Sequence, residues 1–328
     1  MYLFGGSGFI GTYMTKILIR NNANFTIIDK VKSSLSPSNS IVLNIQSLDS
    51  LAKVTNFGYS CLINLAAEHR DDVSPVTLYD DTNVTGAKNI CHFANCFNVT
   101  KIIFTSSVAV YGFAPLGTNE SGMISPFNDY GRTKWEAENI YKAWQLEDPD
   151  NRTLVIIRPT VVFGERNRGN VFNLLKQIAS GTFFMVGNGL NRKSMAYVEN
   201  VAAFLYYSLN FKSGIHIYNY VDKPDFTMNQ LISLVNKLLG RSSAIKYRIP
   251  FSLGFMIGKS FDFVAKLTGK KFSISAIRVK KFCANSVYES AIDTTDFIPP
   301  VPLVDAIVKT VRYEFIDNHE GESIFYSE

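Results

Sequence analysis

Tyr130-Gly131-Arg132-Thr133-Lys134 puts a phenol and an ammonium four residues apart. On a helix that spacing places both on one face, one turn from each other. A phenol ionises near pH 10 and is a poor base at neutrality, but a cation held one turn away favours the phenolate. Closing a gap of about three units takes roughly 4 kcal/mol of differential stabilisation. Taken alone the spacing also describes an ordinary exposed helix pair. A dinucleotide site before it and a hydroxyl to complete a proton path would turn the pair into an acid–base device.

The elements needed to position such a device precede it. Tyr2-Leu3-Phe4 reads as a short buried strand running into Gly5-Gly6-Ser7-Gly8-Phe9-Ile10-Gly11, and an apolar-periodic helix follows through Ile17 and Leu18. Gly6, Gly8 and Gly11 satisfy G-x-G-x-x-G, and Gly5, Gly8 and Gly11 the related G-x-x-G-x-x-G spacing. Glycines let backbone approach a pyrophosphate, and the helix start at Phe9, Ile10 and Gly11 offers N–H groups to it. Phe25 to Ile28 reads as the second strand and ends in Asp29, placed to accept from a ribose 2′-hydroxyl and to repel a 2′-phosphate. NAD is therefore expected over NADP, with Lys30 and Lys32 pulling slightly the other way. A cationic nicotinamide ring would add to what Lys134 does for Tyr130.

Further strands are expected at Ile41–Ile45, carrying Asn44 and Ile45, and at Cys61–Ala67, ending in the small residues Ala66 and Ala67. Lys101–Ser107 is a fifth, delivering Ser107 at its carboxyl end. A helix from about Leu78 to Phe97 carries Asn83, and the Tyr130 helix runs to about Trp144. Alternation of strands and helices implies an α/β fold, a Rossmann-type doubly wound parallel sheet with ligands at its carboxyl edge. The NAD-binding unit is expected over 1–165, with a return segment near 194–220, and a smaller substrate lobe over most of 166–328.

Composition narrows the function. The 328 residues are 46% hydrophobic with a formal charge of +5, and no Lys/Arg run resembles a nucleic-acid arm. An acidic or phosphate-bearing ligand, or an anionic membrane surface, fits better. Cys61, Cys91, Cys96 and Cys283 form no Cys-x-x-Cys pair and the four histidines are scattered, so no metal site is expected. Reduced thiols, no leader before the first strand and no apolar run of membrane-spanning length give a cytoplasmic reading.

GGSGFIG at 5–11, LAAEH at 65–69, SSVAVYG at 106–112, YGRTK at 130–134 and RPTVVFG at 158–164 resemble the extended short-chain dehydrogenase/reductase family of sugar epimerases, dehydratases and reductases. The resemblance implies Tyr130 as base, Lys134 as the residue that tunes it and grips the nicotinamide ribose, and Ser107 as proton-path donor. Family members often place Asp at the end of the third strand to bind adenine; Asn44 stands here, and its amide oxygen can still accept from the adenine amino group. The family's 4,6-dehydratases carry Thr-Asp-Glu where this chain has Ser107-Val108-Ala109, which sets dehydration aside. Longer blocks at 65–75, 165–181, 193–201, 218–231 and 278–285 resemble the family's bacterial 4-epimerases of undecaprenyl-diphosphate-linked N-acetylhexosamines, which serve O-antigen synthesis, and also some nucleotide-sugar 4-reductases. Lipid-linked or nucleotide-linked amino sugar, epimerase or reductase, both stay open, as does a homodimer. A non-catalytic NAD-sensing module would usually lack Tyr or Lys of the pair, and both are present.

In the second half, Arg166, Arg168, Arg192, Lys193 and Lys281 are candidates for a substrate diphosphate. The resemblance puts Asn170 and Lys193 where relatives hold it. Asn83, Arg158 and Glu68 are expected to be structural, and His69 to adjoin the sugar pocket. From Phe251 to Leu267 a helical projection gathers Lys259, Asp262 and Lys266 in a narrow wedge, with apolar residues over most of the rest. Lys270 and Lys271 follow. Such a helix is either wedged into the lobe's core, the commoner arrangement, or laid partly into a bilayer surface with lysines toward headgroups. The expectation is peripheral docking on the cytoplasmic leaflet.

Overall fold

Every residue of Tyr2–Phe4 is buried, as an apolar run without alternation requires of a strand covered on both faces. The computed structural model describes residues 1–70, 73–245, 247–269, 275–319 and 321–325. The first part of the chain forms β1 (Tyr2–Phe4), α1 (Phe9–Arg20), β2 (Thr26–Asp29), β3 (Ser40–Val42), α2 (Leu48–Leu51) and β4 (Cys61–Asn64). After these come α3 (Gly86–Cys96), β5 (Lys101–Thr105), α4 (Asp129–Leu146) and β6 (Thr153–Pro159). The sequence of elements continues with β7 (Val161–Phe163), α5 (Asn170–Ser180), β8 (Met185–Val186), β9 (Arg192–Tyr197), α6 (Val198–Tyr207) and β10 (Gly214–Tyr220). Last are β11 (Asp222–Thr227), α7 (Met228–Leu238), β12 (Arg248–Ile249), α8 (Phe251–Thr268), α9 (Ala276–Cys283) and α10 (Leu303–Phe315).

The main sheet has the order β10-β6-β5-β4-β1-β2-β3, and its pairings are parallel. The chain moves outward from β1 to β3 and then returns to β4 on the other side of β1. A crevice for ligands opens at such a reversal, beyond the carboxyl ends of the strands. Strand alternation splits the core into two layers. Tyr2, Phe4 and Ile156 pack with Phe93, Tyr141 and Trp144 on the side of α3 and α4. Leu3, Ile27 and Ile157 pack with Met14, Val201 and Phe204 on the side of α1 and α6.

The smaller lobe is built from the sheet β11-β9-β7, the β8–β12 pair and the helices α5, α7 and α10 around Leu175, Ile178, Leu231, Val235, Ile307 and Val311. Among the described residues α8 contributes nothing to that core. Several strands end sooner than the apolar runs suggest. β3 stops at Val42, and the Asn44 Oδ1 then accepts Gln46 N–H at 3.0 Å. β4 stops at Asn64, whose Oδ1 accepts Ala66 N–H at 3.0 Å. Side-chain turns of this kind compete with ladder bonds. The expected helix from Leu78 opens as a wide π turn over Asp80–Thr85 before α3.

Candidate active site

The turn after β1 is closed by contacts that only glycine allows. Gly5 has φ of +73°, and a β-carbon there would sit 2.5 Å from Ala66 N. A β-carbon on Gly11 would lie 2.5 Å from Gly5 O, so α1 packs directly against the turn. Gly8 caps α1 with no side-chain cap, and Phe9, Ile10 and Gly11 line the cleft at the helix start. Uncapped leading N–H groups at a helix terminus form an anion site. Asp29, at the end of β2, accepts from Ser7 N at 3.0 Å and from Val31 N at 3.1 Å. It therefore braces the glycine turn while its carboxylate keeps further lone pairs at the cleft wall. Asn44, Ile45, Ala66 and Ala67 line the same cleft, which has a volume of about 1640 Å³.

Farther along this cleft lie Ser107, Tyr130 and Lys134. Ser107 follows β5; its Oγ accepts Ala109 N–H at 3.1 Å, and its side chain lies on the Tyr130 side of the cleft, where it holds the phenol's pKa down. Tyr130 enters on the first turn of α4, which Asn128 caps by accepting Gly131 N–H at 2.9 Å. Gly131 is required there, since a β-carbon would meet Ala109 O at 2.5 Å. Lys134 is 2% exposed. Its Nζ donates to Thr105 O at 2.8 Å and lies 6.0 Å from the Tyr130 ring centroid. Burial pushes the Tyr130 phenol up to about 12, opposed by the Ser107 hydrogen bond. Burial pulls the Lys134 ammonium down to about 7, opposed by Glu138. Desolvation is thus the leading cause on both partners, raising the phenol and lowering the ammonium.

Behind this group lies a polar network that is almost wholly buried. Arg158 makes two hydrogen bonds to Glu138, at 2.8 and 2.6 Å, with side chains 2% and 0% exposed. Ser106 Oγ donates to Glu138 at 2.6 Å, and Arg158 Nη1 donates to the Tyr111 hydroxyl at 2.6 Å. Asn83 accepts from Glu68 N at 2.9 Å and donates to Thr133 at 3.0 Å, tying the loop after β4 to α4.

The diphosphate candidates divide. Asn170, Lys193 and Lys281 line the cleft; Arg166 and Arg192 do not, nor does Arg168. Arg166 Nε donates to Ser323 O at 2.6 Å, with its guanidinium over the Phe325 ring. Arg168 pairs with Glu314 at 2.9 Å. The backbone of Arg192 is held by Asn285, and its side chain is exposed. Lys193 donates to Lys281 O at 2.8 Å, and burial lowers its pKa to about 8. His69 also lines the cleft, its pKa lowered by burial. Sequence reasoning missed Asn285 and Ser286 after α9 and the tail residues Ser323–Phe325, which all line the cleft. The tail carries no motif to mark it; the block at 278–285 includes Asn285, but only Lys281 was singled out from it.

A family model described as the NAD dependent epimerase/dehydratase family matches residues 1–220. The chain belongs to that family. The N-acetyl-alpha-D-glucosaminyl-diphospho-ditrans,octacis-undecaprenol 4-epimerase of Escherichia coli O157:H7 is 44% identical over 330 residues, covering 99% of this chain and 98% of that protein. In fold the chain is similar to UDP-glucose 4-epimerase of Thermotoga maritima, with TM-score 0.74, 18% identity and coverage of 95% and 97%. The UDP-Glc/GlcNAc 4-epimerase of Campylobacter jejuni aligns with TM-score 0.73, 15% identity and coverage of 96% and 98%. NAD is the cofactor of this epimerase, and the glycine cradle, the uncapped start of α1 and Asp29 fit it.

Proposed function

We propose that this protein inverts C4 of an N-acetylhexosamine carried on undecaprenyl diphosphate, interconverting the gluco and galacto forms for surface polysaccharide (O-antigen) assembly. The reading rests on the end-to-end likeness to the Escherichia coli enzyme of that name. The cleft is compatible with it: Val108 and Ala109 bring no acid to the wall where dehydration would need one. NAD would be held by the Gly5–Gly11 turn, Asp29 and Lys134, with Asn44 and Ile45 at the adenine end.

Tyr130 takes the proton of the sugar 4-hydroxyl, and Ser107 stays hydrogen-bonded to the same oxygen. Bound NAD supplies the hydride acceptor at C4 and afterwards the donor. Lys134, brought next to the phenol by α4, offsets the phenolate charge together with the nicotinamide cation. The oxidised sugar would turn about its diphosphate link to present its other face, and Tyr130 would return the proton to the 4-oxygen. Asn170, Lys193 and Lys281 hold the diphosphate as the pivot. A substrate with a polyprenyl tail places the work at the membrane face.

The test is incubation with lipid-linked and with UDP-linked N-acetylglucosamine, each without added NADH. Turnover of the lipid-linked sugar to its C4 epimer is expected. Turnover of the UDP-linked sugar alone would replace the substrate reading. A strict need for added reductant would make the enzyme a 4-reductase.

A further inference from the structure

α8 exposes seven large hydrophobic residues: Phe251, Leu253, Met256, Ile257, Phe263, Val264 and Leu267. Its buried residues are Gly254 and Gly258 alone. A β-carbon on Gly258 would meet Ala276 N at 2.7 Å, and one on Gly254 would meet Val186 at 2.6 Å, so α8 is clamped to its neighbours by its glycines. Leu253, Met256, Ile257, Phe263, Val264 and Leu267 share an arc of roughly 120° on the side away from those glycines. Met256 is 58% exposed, Phe263 64% and Leu267 70%. Lys259 and Lys266 border the arc, and Lys259 lies over the Phe255 ring. No helix among the described residues is long and apolar enough to cross a membrane.

Two observations bear on what this face would meet. The first is charge. α8 and α9 carry Lys259, Lys266, Arg278, Lys280 and Lys281 against one acid, Asp262, whose carboxylate accepts Ala276 N–H at 3.0 Å. Lys270 and Lys271, between the two helices, lie outside the described residues. The second is continuity with the cleft. α8 packs on α9, and Lys281 of α9 lies 4.5 Å over the Phe127 ring at the cleft wall. Phe127 and Phe113 are exposed, with ring centroids 4.8 Å apart, so the rim nearest α9 is itself apolar.

We propose that α8 lies in the headgroup region of an anionic bilayer with its apolar arc toward the acyl chains, so that the cleft opens beside the membrane surface. This rests on the lipid-linked substrate reading and deepens it: the sugar diphosphate of a membrane-anchored substrate would enter past Phe113 and Phe127 without its tail leaving the bilayer. An apolar arc bordered by lysines suits that position, because long cationic side chains reach headgroups while their stems stay apolar.

Full-length protein would be floated with vesicles of phosphatidylethanolamine and phosphatidylglycerol, and with phosphatidylcholine vesicles. Wild type is expected to float with the anionic vesicles and much less with phosphatidylcholine. The M256S/F263S/L267S triple variant should lose at least about tenfold of that binding, with NAD binding unchanged. K259E/K266E should lose it on anionic vesicles selectively. Wild type that stays in the bottom fraction with anionic vesicles, or a triple variant that floats like wild type, would overturn the proposal. So would a wild-type dimer that the triple variant makes monomeric with flotation unaltered, since the face would then belong to a second copy. Epimerisation of detergent-solubilised lipid-linked sugar separates the two readings. Turnover without flotation removes docking alone; flotation without turnover removes the substrate reading and leaves docking supported.

Discussion

α4 and α8 are both 18 residues long, and they break the usual partition of side chains in opposite directions. α4 buries Lys134, Glu138 and Gln145. α8 exposes phenylalanine, methionine and leucine while burying two glycines. Charged residues are rarely buried without a partner, and contiguous apolar surface is rarely left open. On α4 the cost of burial is offset by Arg158, Ser106 and the Thr105 carbonyl, and the return is a lysine held beside a tyrosine. On α8 nothing within the described chain covers the apolar arc. α4 departs from the solvent rule beside the cleft; α8, on the docking proposal, does so at a membrane surface.

The largest effect expected is on chemistry. Tyr130→Phe should lower turnover by about 10²–10⁴-fold while leaving NAD binding and thermal unfolding unchanged, because it removes only the proton acceptor. Substantial activity in that variant would remove Tyr130 from the mechanism and leave α4 as a merely structural helix. The M256S/F263S/L267S variant provides the contrast: assayed on detergent-solubilised substrate, it should keep wild-type turnover.

Next comes the buried pair. Glu138→Gln leaves Arg158 uncompensated beneath α4, and removing one partner of such a pair costs about 3–5 kcal/mol. Chemical denaturation should register that loss. Replacing both residues by apolar ones of similar volume should recover much of it, since the pair itself is worth little against a packed alternative. If Glu138→Gln proves neutral, the network behind the site is not what holds α4.

Much of this was legible in the sequence where the chemistry is local. The Gly5–Gly11 turn, Asp29, Ser107 and the Tyr130–Lys134 spacing each depend on neighbours within a few residues, and all of them line one cleft. The arginines were not legible. Arg166 and Arg168 answer to Ser323 and Glu314, about 150 positions away, and no local pattern announces those partners. Strand ends were overrun because Asn44 and Asn64 turn the chain through their own side chains, which an apolar run conceals. Spacing reports the lysine beside Tyr130 but not how deeply Lys134 is buried, at 2% exposed. For α8, periodicity located the apolar arc but could not say what it faces: an arc toward the core and an arc toward lipid have the same sequence. The commoner arrangement, a core helix, is not the one observed.

A smaller effect tests how α8 is attached. Gly258→Ala would drive a β-carbon to 2.7 Å from the Ala276 backbone. Overpacking of that kind costs about 1–3 kcal/mol. Replacing a helical glycine by alanine returns about 1 kcal/mol in propensity, so a net loss of about 1 kcal/mol is expected. Vesicle binding should weaken with it, because α8 and α9 would separate, while turnover on solubilised substrate should hold. A fully neutral result on both stability and flotation would mean that the glycine contact does not set the position of α8.

The smallest effect is the sharpest for the comparison. Met256, Phe263 and Leu267 are 58%, 64% and 70% exposed, so little of their apolar area is withdrawn from water on folding. Truncating a buried leucine or methionine costs about 2–5 kcal/mol. Surface substitutions usually stay within about 0.5 kcal/mol. Serine has poorer helix propensity than methionine or leucine by a few tenths of a kcal/mol, which sets the expected loss at each site. Single serine substitutions at these three positions should therefore shift the unfolding free energy by about 0.5 kcal/mol or less each, measured in detergent-free buffer without vesicles. Losses of about 2 kcal/mol or more would mean that these side chains are packed against protein in solution. α8 would then be a core or interface helix, and its contrast with α4 would disappear.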